Sequence, residues 1–190
     1  MQSKKIDKLI LKDGSTYEGR SFGAKKSISG EVVFATGMVG YPEALTDPSF
    51  AGQILIMTYP IIGNYGVPKI QLWESGKIQV AGLIVCNYID TPSHHASTMT
   101  LGKWLKEQNI PALEIKDTRE LTQKLRTQGV MLGKIQFSGQ EVKLEDPNKR
   151  NLVAEVSTKN IWFSGSGGKT VVLIDCGVKL NIVRRLVARG

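Results

Sequence analysis

A chain of 190 residues that is 41% apolar and 22% charged is large enough for one sizeable domain, or for one domain and part of another, and its composition excludes disorder. Folding at this length buries roughly 70% of the unfolded surface, so covalent staples are not needed. The net charge of +8 raises nucleic acid as a partner, but Lys and Arg come singly or in pairs without aromatic interleaving, so no nucleic-acid binding is expected and a solvated surface, or one facing an acidic partner, is.

Residues 9–11 and 16–22 flank Asp13-Gly14, a pair that supplies the backbone angles of a tight hairpin, so the chain opens in antiparallel sheet. Two apolar runs follow, 32–36 and 53–59, read as strands. Between them Pro42, Asp47-Pro48-Ser49 and Gly52 predict tight turns, and loops pinned between strands are where function usually sits. A short helix is expected over 68–74, and a buried strand over 78–86.

Leu101, Trp104 and Leu105 recur at helical spacing in 97–108, and 112–115 is a short extended piece before the next helix. That helix has clear boundaries: Asp117 caps it, Glu120 completes a capping box and pairs with Lys124, Leu121 and Leu125 form its buried stripe, and Gly129 ends it. Residues 130–137 return as strand. From 138 to 169 the pattern dissolves, with Gly/Ser-rich SGSGG and a short apolar patch at 152–156, and a linker is expected. The run TVVLIDC, 170–176, reads as a strand covered on both faces, and 178–189 as an amphipathic helix with Arg184, Arg185 and Arg189 off its apolar face. A strand, a turn at Gly177 and a helix make the first step of a doubly wound α/β unit. One such strand cannot satisfy its backbone alone, so the chain is expected to be part of a longer protein.

Four features invite chemistry. SGSGGKT (164–170) resembles a phosphate loop only in part, because Phe163 stands where a glycine is needed and the segment precedes a strand, so a flexible linker is the reading. His94-His95 near Asp90 lack a third ligand at a metal-binding spacing, and neighbours in an extended segment point apart, so no metal is expected. Cys86 is placed in mid-strand and Cys176 at the carboxyl end of a strand; both suit reduced thiols, and no histidine downstream serves Cys176 as a base. Ser49 sits in a turn whose backbone Asp47 and Pro48 fix, which leaves its hydroxyl free to face a partner; by itself it reads first as an ordinary turn serine.

The longest apolar runs, 80–86 and 171–176, fall far short of the ~20 residues that span a bilayer, and the lysine-bearing start lacks a signal-peptide core, so no membrane association is expected. The expected location is cytoplasmic, or mitochondrial if a transit peptide has been removed.

GEVVF, TGMVGYPEALTDPS and TYPIIGNYG, followed by DTRELTQKLRTQG with MLGKI, DPNKRNLVAEVSTK and VVLIDCGVKLNIVRRLVARG, closely resemble the amino-terminal region of the glutamine-dependent carbamoyl phosphate synthetase small chain, or the equivalent region of fused eukaryotic synthetases, including the ammonia-dependent urea-cycle type. The resemblance implies an α/β fold: a layered β/β/α amino-terminal domain over residues 1–153, a linker over 154–168, and the truncated start of a class I glutamine amidotransferase domain, doubly wound, over 169–190. It implies that the parent makes carbamoyl phosphate from bicarbonate, glutamine-derived ammonia and two ATP, with ATP and Mg used in the synthetase part and no cofactor in this chain. It assigns no catalytic residue here, since the glutaminase Cys, His and Glu would lie beyond Gly190, and makes Ser49 the residue that reaches toward glutamine. The implied partners are the synthetase chain or domain, the glutaminase domain and glutamine; the alternative is an assembly domain of an ammonia-dependent synthetase whose glutaminase region is inactive.

Overall fold

Asp13-Gly14 makes the expected turn. The Asp13 carboxylate accepts the Ser15 N–H at 2.9 Å and Gly14 takes φ 88°, joining β1 (Asp7–Leu11) to antiparallel β2 (Thr16–Ser21). The computed structural model describes residues 7–166 and 168–190; the Lys4-Lys5 pair and Gly167 of the SGSGGKT segment lie outside the described residues.

The next run forms β3 (Ile28–Ala35), and the turn-rich stretch after it contains a short helix, α1 (Tyr41–Thr46). Turns alone were expected there. Gly40, at φ 85°, turns the chain into the helix, and Pro42 is tolerated in the first turn, where no N–H is needed. A 3-10 turn, Pro48–Phe50, then leads to β4 (Gln53–Met57). The short β5 (Ile61–Ile62) pairs in parallel with β7 (Asn87–Tyr88), and β6 (Gly82–Val85) lies between them in sequence. Of the helix expected over 68–74, only a 3-10 turn at Ile70–Leu72 forms.

Thr100 caps α2 (Leu101–Glu107) by accepting the Lys103 N–H, and β8 (Ala112–Glu114) follows. Asp117 caps α3 (Thr118–Gln128) through the Glu120 N–H at 2.8 Å, and Leu121 and Leu125 are buried on one face, four residues apart. The expected Glu120–Lys124 pair gives way to a longer-range one: Lys124 bonds Asp13 at 2.5 Å and also Ser15, while Glu120 accepts the Tyr17 hydroxyl. The hairpin turn offers Lys124 a carboxylate already held in place by its own backbone bond. β9 (Met131–Gln136) completes the sheet.

The strands close on themselves in the order β1-β2-β8-β6-β4-β3-β9, with β1 bonded to both β2 and β9. One half is parallel (β3, β4, β6, β8) and the other antiparallel. The result is a mixed α/β fold whose sheet is one closed barrel, a closure that the layered β/β/α expectation did not contain. Along β4, Ile54 and Ile56 face a core shared with α3, whereas Leu55 and Met57 face a second core shared with α1 and α2. Both faces are covered, which is why β4 reads as an unbroken apolar run.

The stretch expected as linker carries structure: a 3-10 turn at Pro147–Lys149, and α4 (Leu152–Val156), capped by Asn151 through the Ala154 N–H at 3.0 Å. The expected strand over 170–176 does not form; Val171, Val172 and Ile174 are exposed, Val172 by 85%. An apolar run becomes a strand only where a neighbour completes its ladder, and among the described residues none lies beside it. The helix that follows does form, as α5 (Leu180–Val187).

Candidate functional site

The loop bearing Ser49 is held from three sides. Asp47 caps the 3-10 turn by accepting the Ser49 N–H at 2.9 Å, while its other carboxylate oxygen meets Lys179 Nζ at 2.7 Å. Pro48 is buried against the Gly177 turn: a Cβ on Gly177 would stand 3.3 Å from Pro48 and 2.8 Å from Val156 of α4. Gly52, at φ 77°, packs so closely on Pro147 that a Cβ there would come within 2.7 Å of it. Ser49 itself is exposed, and its hydroxyl has no hydrogen-bond partner among the described residues.

Upstream, α1 is fixed by a tyrosine pair. Tyr41 and Tyr65 stack at 4.2 Å, the Tyr65 hydroxyl accepts the N–H groups of Gly40 and Tyr41, and the Tyr41 hydroxyl donates to the Gly66 carbonyl at 2.5 Å. Burial, with Tyr65 close by, raises the Tyr41 pKa, and burial likewise raises that of Tyr65, so both phenols stay protonated and keep these bonds across the physiological range. At the end of α1 the Thr46 hydroxyl donates to the Pro42 carbonyl and accepts the Glu74 N–H at 2.9 Å.

Carboxylates dominate the facing side. Glu74 is nearly buried, and its side chain accepts the Asn181 N–H at 2.9 Å and faces Arg184 at 3.6 Å. Asp175 accepts three backbone N–H groups, from Gly177, Val178 and Thr158. Its partial burial raises its pKa, but those three donors outweigh burial and hold the carboxyl below its usual range. Ser49 therefore stands on a braced loop beside the segment 175–184, with its hydroxyl unengaged. No base is hydrogen-bonded to it, since the nearby Lys179 is taken by Asp47. Such a hydroxyl is free to donate to or accept from a ligand.

Elsewhere the expected candidates separate. His94 and His95 sit in a turn and stack on each other at 4.3 Å, instead of pointing apart as an extended segment would place them; the His94 ring accepts the Ala96 N–H. No cluster of three or more His, Cys, Asp or Glu placed to hold a metal occurs among the described residues. Cys86 lies just past the end of β6, not in mid-strand, half-buried with its thiol toward the Lys116 carbonyl; Cys176 is exposed in a bend, not at a strand end. A surface groove lined by Lys12, Asp13, Glu31, Met131 and Asp146 contains none of the Ser49 loop, and its charges of both signs mark no particular ligand. Among the described residues no helix is long and apolar enough to cross a membrane. Glu74, Asn181 and the pairing role of Lys179 and Arg184 were not found from sequence, because an ion pair between residues far apart in the chain leaves no local pattern; Asp47-Pro48 was.

The fold is a closed barrel of parallel and antiparallel strands whose Ser49 loop is braced against the segment that leads into α5. Residues 9–135 match the family described as the carbamoyl-phosphate synthase small chain, CPSase domain, and the chain belongs to that family. It is 51% identical over 192 residues to the mouse protein named carbamoyl-phosphate synthase [ammonia], mitochondrial, covering 96% of this chain and 13% of that one. It is 50% identical to the multifunctional protein CAD of Squalus acanthias, over 96% of this chain and 9% of the relative. With the carbamoyl phosphate synthase arginine-specific small chain of Saccharomyces cerevisiae it shares 45% identity, over 95% of this chain and 47% of that one. The chain thus spans less than half the length of each of these relatives.

Proposed function

We propose that this chain is the non-catalytic amino-terminal part of the glutamine-handling portion of a carbamoyl phosphate synthetase, bordering the glutamine site through Ser49 and docking on the synthetase part. In this reading residues 1–153 are the amino-terminal domain in its β/β/α layering, 154–168 the connection, and 169–190 the start of a class I glutamine amidotransferase domain. The parent makes carbamoyl phosphate from glutamine-derived ammonia, bicarbonate and ATP, with ATP and Mg handled in the synthetase part. The location is cytoplasmic, or mitochondrial as in the relatives whose names say so.

The observation that carries the reading is the free, exposed Ser49 hydroxyl on a loop locked by the Asp47–Lys179 pair against the segment where the next domain would begin. A glutamine amide is a poor electrophile, and its hydrolysis needs a positioned nucleophile and oxyanion donors. A braced wall contributes by holding the substrate in register. A second reading, an assembly domain of an ammonia-dependent synthetase, is favoured by the relatives named for ammonia. The test common to both is that the purified chain releases no ammonia from glutamine and associates with the separate synthetase polypeptide at micromolar concentration; ammonia release by the chain alone, or no association, overturns the proposal.

A further inference from the structure

Helix α5 has no capping side chain of its own: Lys179 holds the N-cap position without a side-chain bond to the helix. Its first turn is instead served by a residue 107 positions away. Glu74 gives its carbonyl to the Leu180 N–H and one carboxylate oxygen to the Asn181 N–H, both at 2.9 Å, so a negative group sits where the helix exposes unpaired donors. The other carboxylate oxygen faces Arg184 one turn on, and that guanidinium also donates to the carbonyls of Gln71 and Trp73. One short stretch, 71–74, therefore holds both the start and the middle of the helix.

Glu74 is tied back to the Ser49 loop as well. Its N–H is taken by the Thr46 hydroxyl, Thr46 precedes Asp47, and Asp47 binds both the Ser49 N–H and Lys179 at the mouth of α5. The contacts close a ring from Ser49 through Asp47, Thr46 and Glu74 to α5, returning through Lys179. Glu74 is one of very few buried charged residues among those described. A carboxylate kept from water persists only where donors replace its hydration, and here α5 supplies them.

The geometry points to Glu74 as a positioning residue: it anchors α5, and through the ring sets how far the Ser49 hydroxyl stands from the unit that α5 begins. Its consequence for glutamine rests on the reading of Ser49 given above, but its structural test does not.

The test compares amide hydrogen exchange and amide NMR spectra of the 190-residue chain with those of Glu74→Ala, Glu74→Gln and Arg184→Met. Glu74→Ala should speed exchange at Leu180 and Asn181 by about tenfold or more, as expected for local opening of a helix that has lost its dock, while the amides of Leu55 and Ile84 in the barrel stay protected. Glu74→Gln keeps an acceptor for Asn181 but loses the charge that faces Arg184, and should fall between Glu74→Ala and the unchanged chain. The readout specific to positioning is the Ser49 amide signal, which should move in Glu74→Ala and in Arg184→Met although neither side chain touches Ser49. Protection at Leu180 and Asn181 within about twofold of the unchanged chain, or an unmoved Ser49 signal, overturns the proposal. Should Glu74→Ala unfold the barrel, Arg184→Met, made at a partly exposed side chain, decides by the same two readouts. If the anchor passes and Ser49 nevertheless proves irrelevant to glutamine in the parent protein, the glutamine reading falls and the anchor stands; the opposite result separates them the other way.

Discussion

Asp47 and Lys179 meet at 2.7 Å with their environments unequal: the Asp47 side chain is 8% exposed and that of Lys179 46%. The buried partner is the one that cannot be left alone. Asp47 keeps the Ser49 N–H after Lys179→Met but loses its counter-ion, so the substitution should cost about 1–3 kcal/mol, less than for a fully buried pair because water still reaches the lysine side. A lowered urea midpoint with an unchanged slope checks this, and an unshifted midpoint contradicts it.

Gly30 passes under the end of the Ser49 loop so closely that a Cβ there would lie 2.4 Å from the Gly52 carbonyl oxygen. Backbone cannot swing aside as a side chain can. Gly30→Ala should therefore destabilise by about 1–3 kcal/mol and lower Tm by roughly 3–10 °C in a chain of this size, read by thermal unfolding.

Lys124 and the Ser15 N–H hold the Asp13 carboxyl down at about 2, below its ordinary 3.8. The charged form is the one folding favours. Its contribution to stability is present above pH 3.8 and is lost as the pH falls through about 2. Lys124 is shifted the other way, raised by the same contact with Asp13, so its share is present below its ordinary 10.5 and is lost as the pH climbs past its raised value. A carboxyl NMR titration should place Asp13 near 2 in the unchanged chain and higher in Lys124→Met, where the Ser15 bonds alone still hold it below its ordinary 3.8; equal midpoints in the two proteins would show that the hairpin turn and α3 are not coupled.

Leu121 is fully buried in the core that α3 shares with the barrel. Leu121→Ala should cost about 2–5 kcal/mol through lost burial and the cavity left behind. The measurement is the unfolding free energy from denaturant titration, and a loss under about 1 kcal/mol would mean that α3 does not seal this core.

What could be read from the residues divides along range. The Asp13-Gly14 hairpin and α3 were legible because their signals are local: a turn pair, a capping Asp117, a Leu121–Leu125 stripe, a terminal Gly129. Closure of the barrel was not, since Leu9 pairs with Ile135 across nearly the whole domain and nothing near either residue announces it. The run 170–176 misled for the same reason: its apolar composition signals burial, but a strand is made by its neighbour, and the neighbour is not a local property. At the site, Asp47-Pro48 predicted a fixed turn with the Ser49 hydroxyl left free, and the Asp47 carboxylate does cap that turn through the Ser49 N–H. Arg184 was placed off the apolar face of its helix, and its long side chain reaches the Trp73 carbonyl and Glu74 while staying partly exposed, a contact that helical spacing does not announce.

The most direct test of Ser49 as a wall of the glutamine site is a steady-state comparison of Ser49→Ala with the unchanged residue in the full parent polypeptide, driven first by glutamine and then by ammonia. Loss of a contact to bound substrate should raise KM for glutamine by about fivefold or more, the equivalent of one hydrogen bond, and leave ammonia-driven synthesis as it was. A KM for glutamine that does not move, or an equal fall in both reactions, would contradict the account.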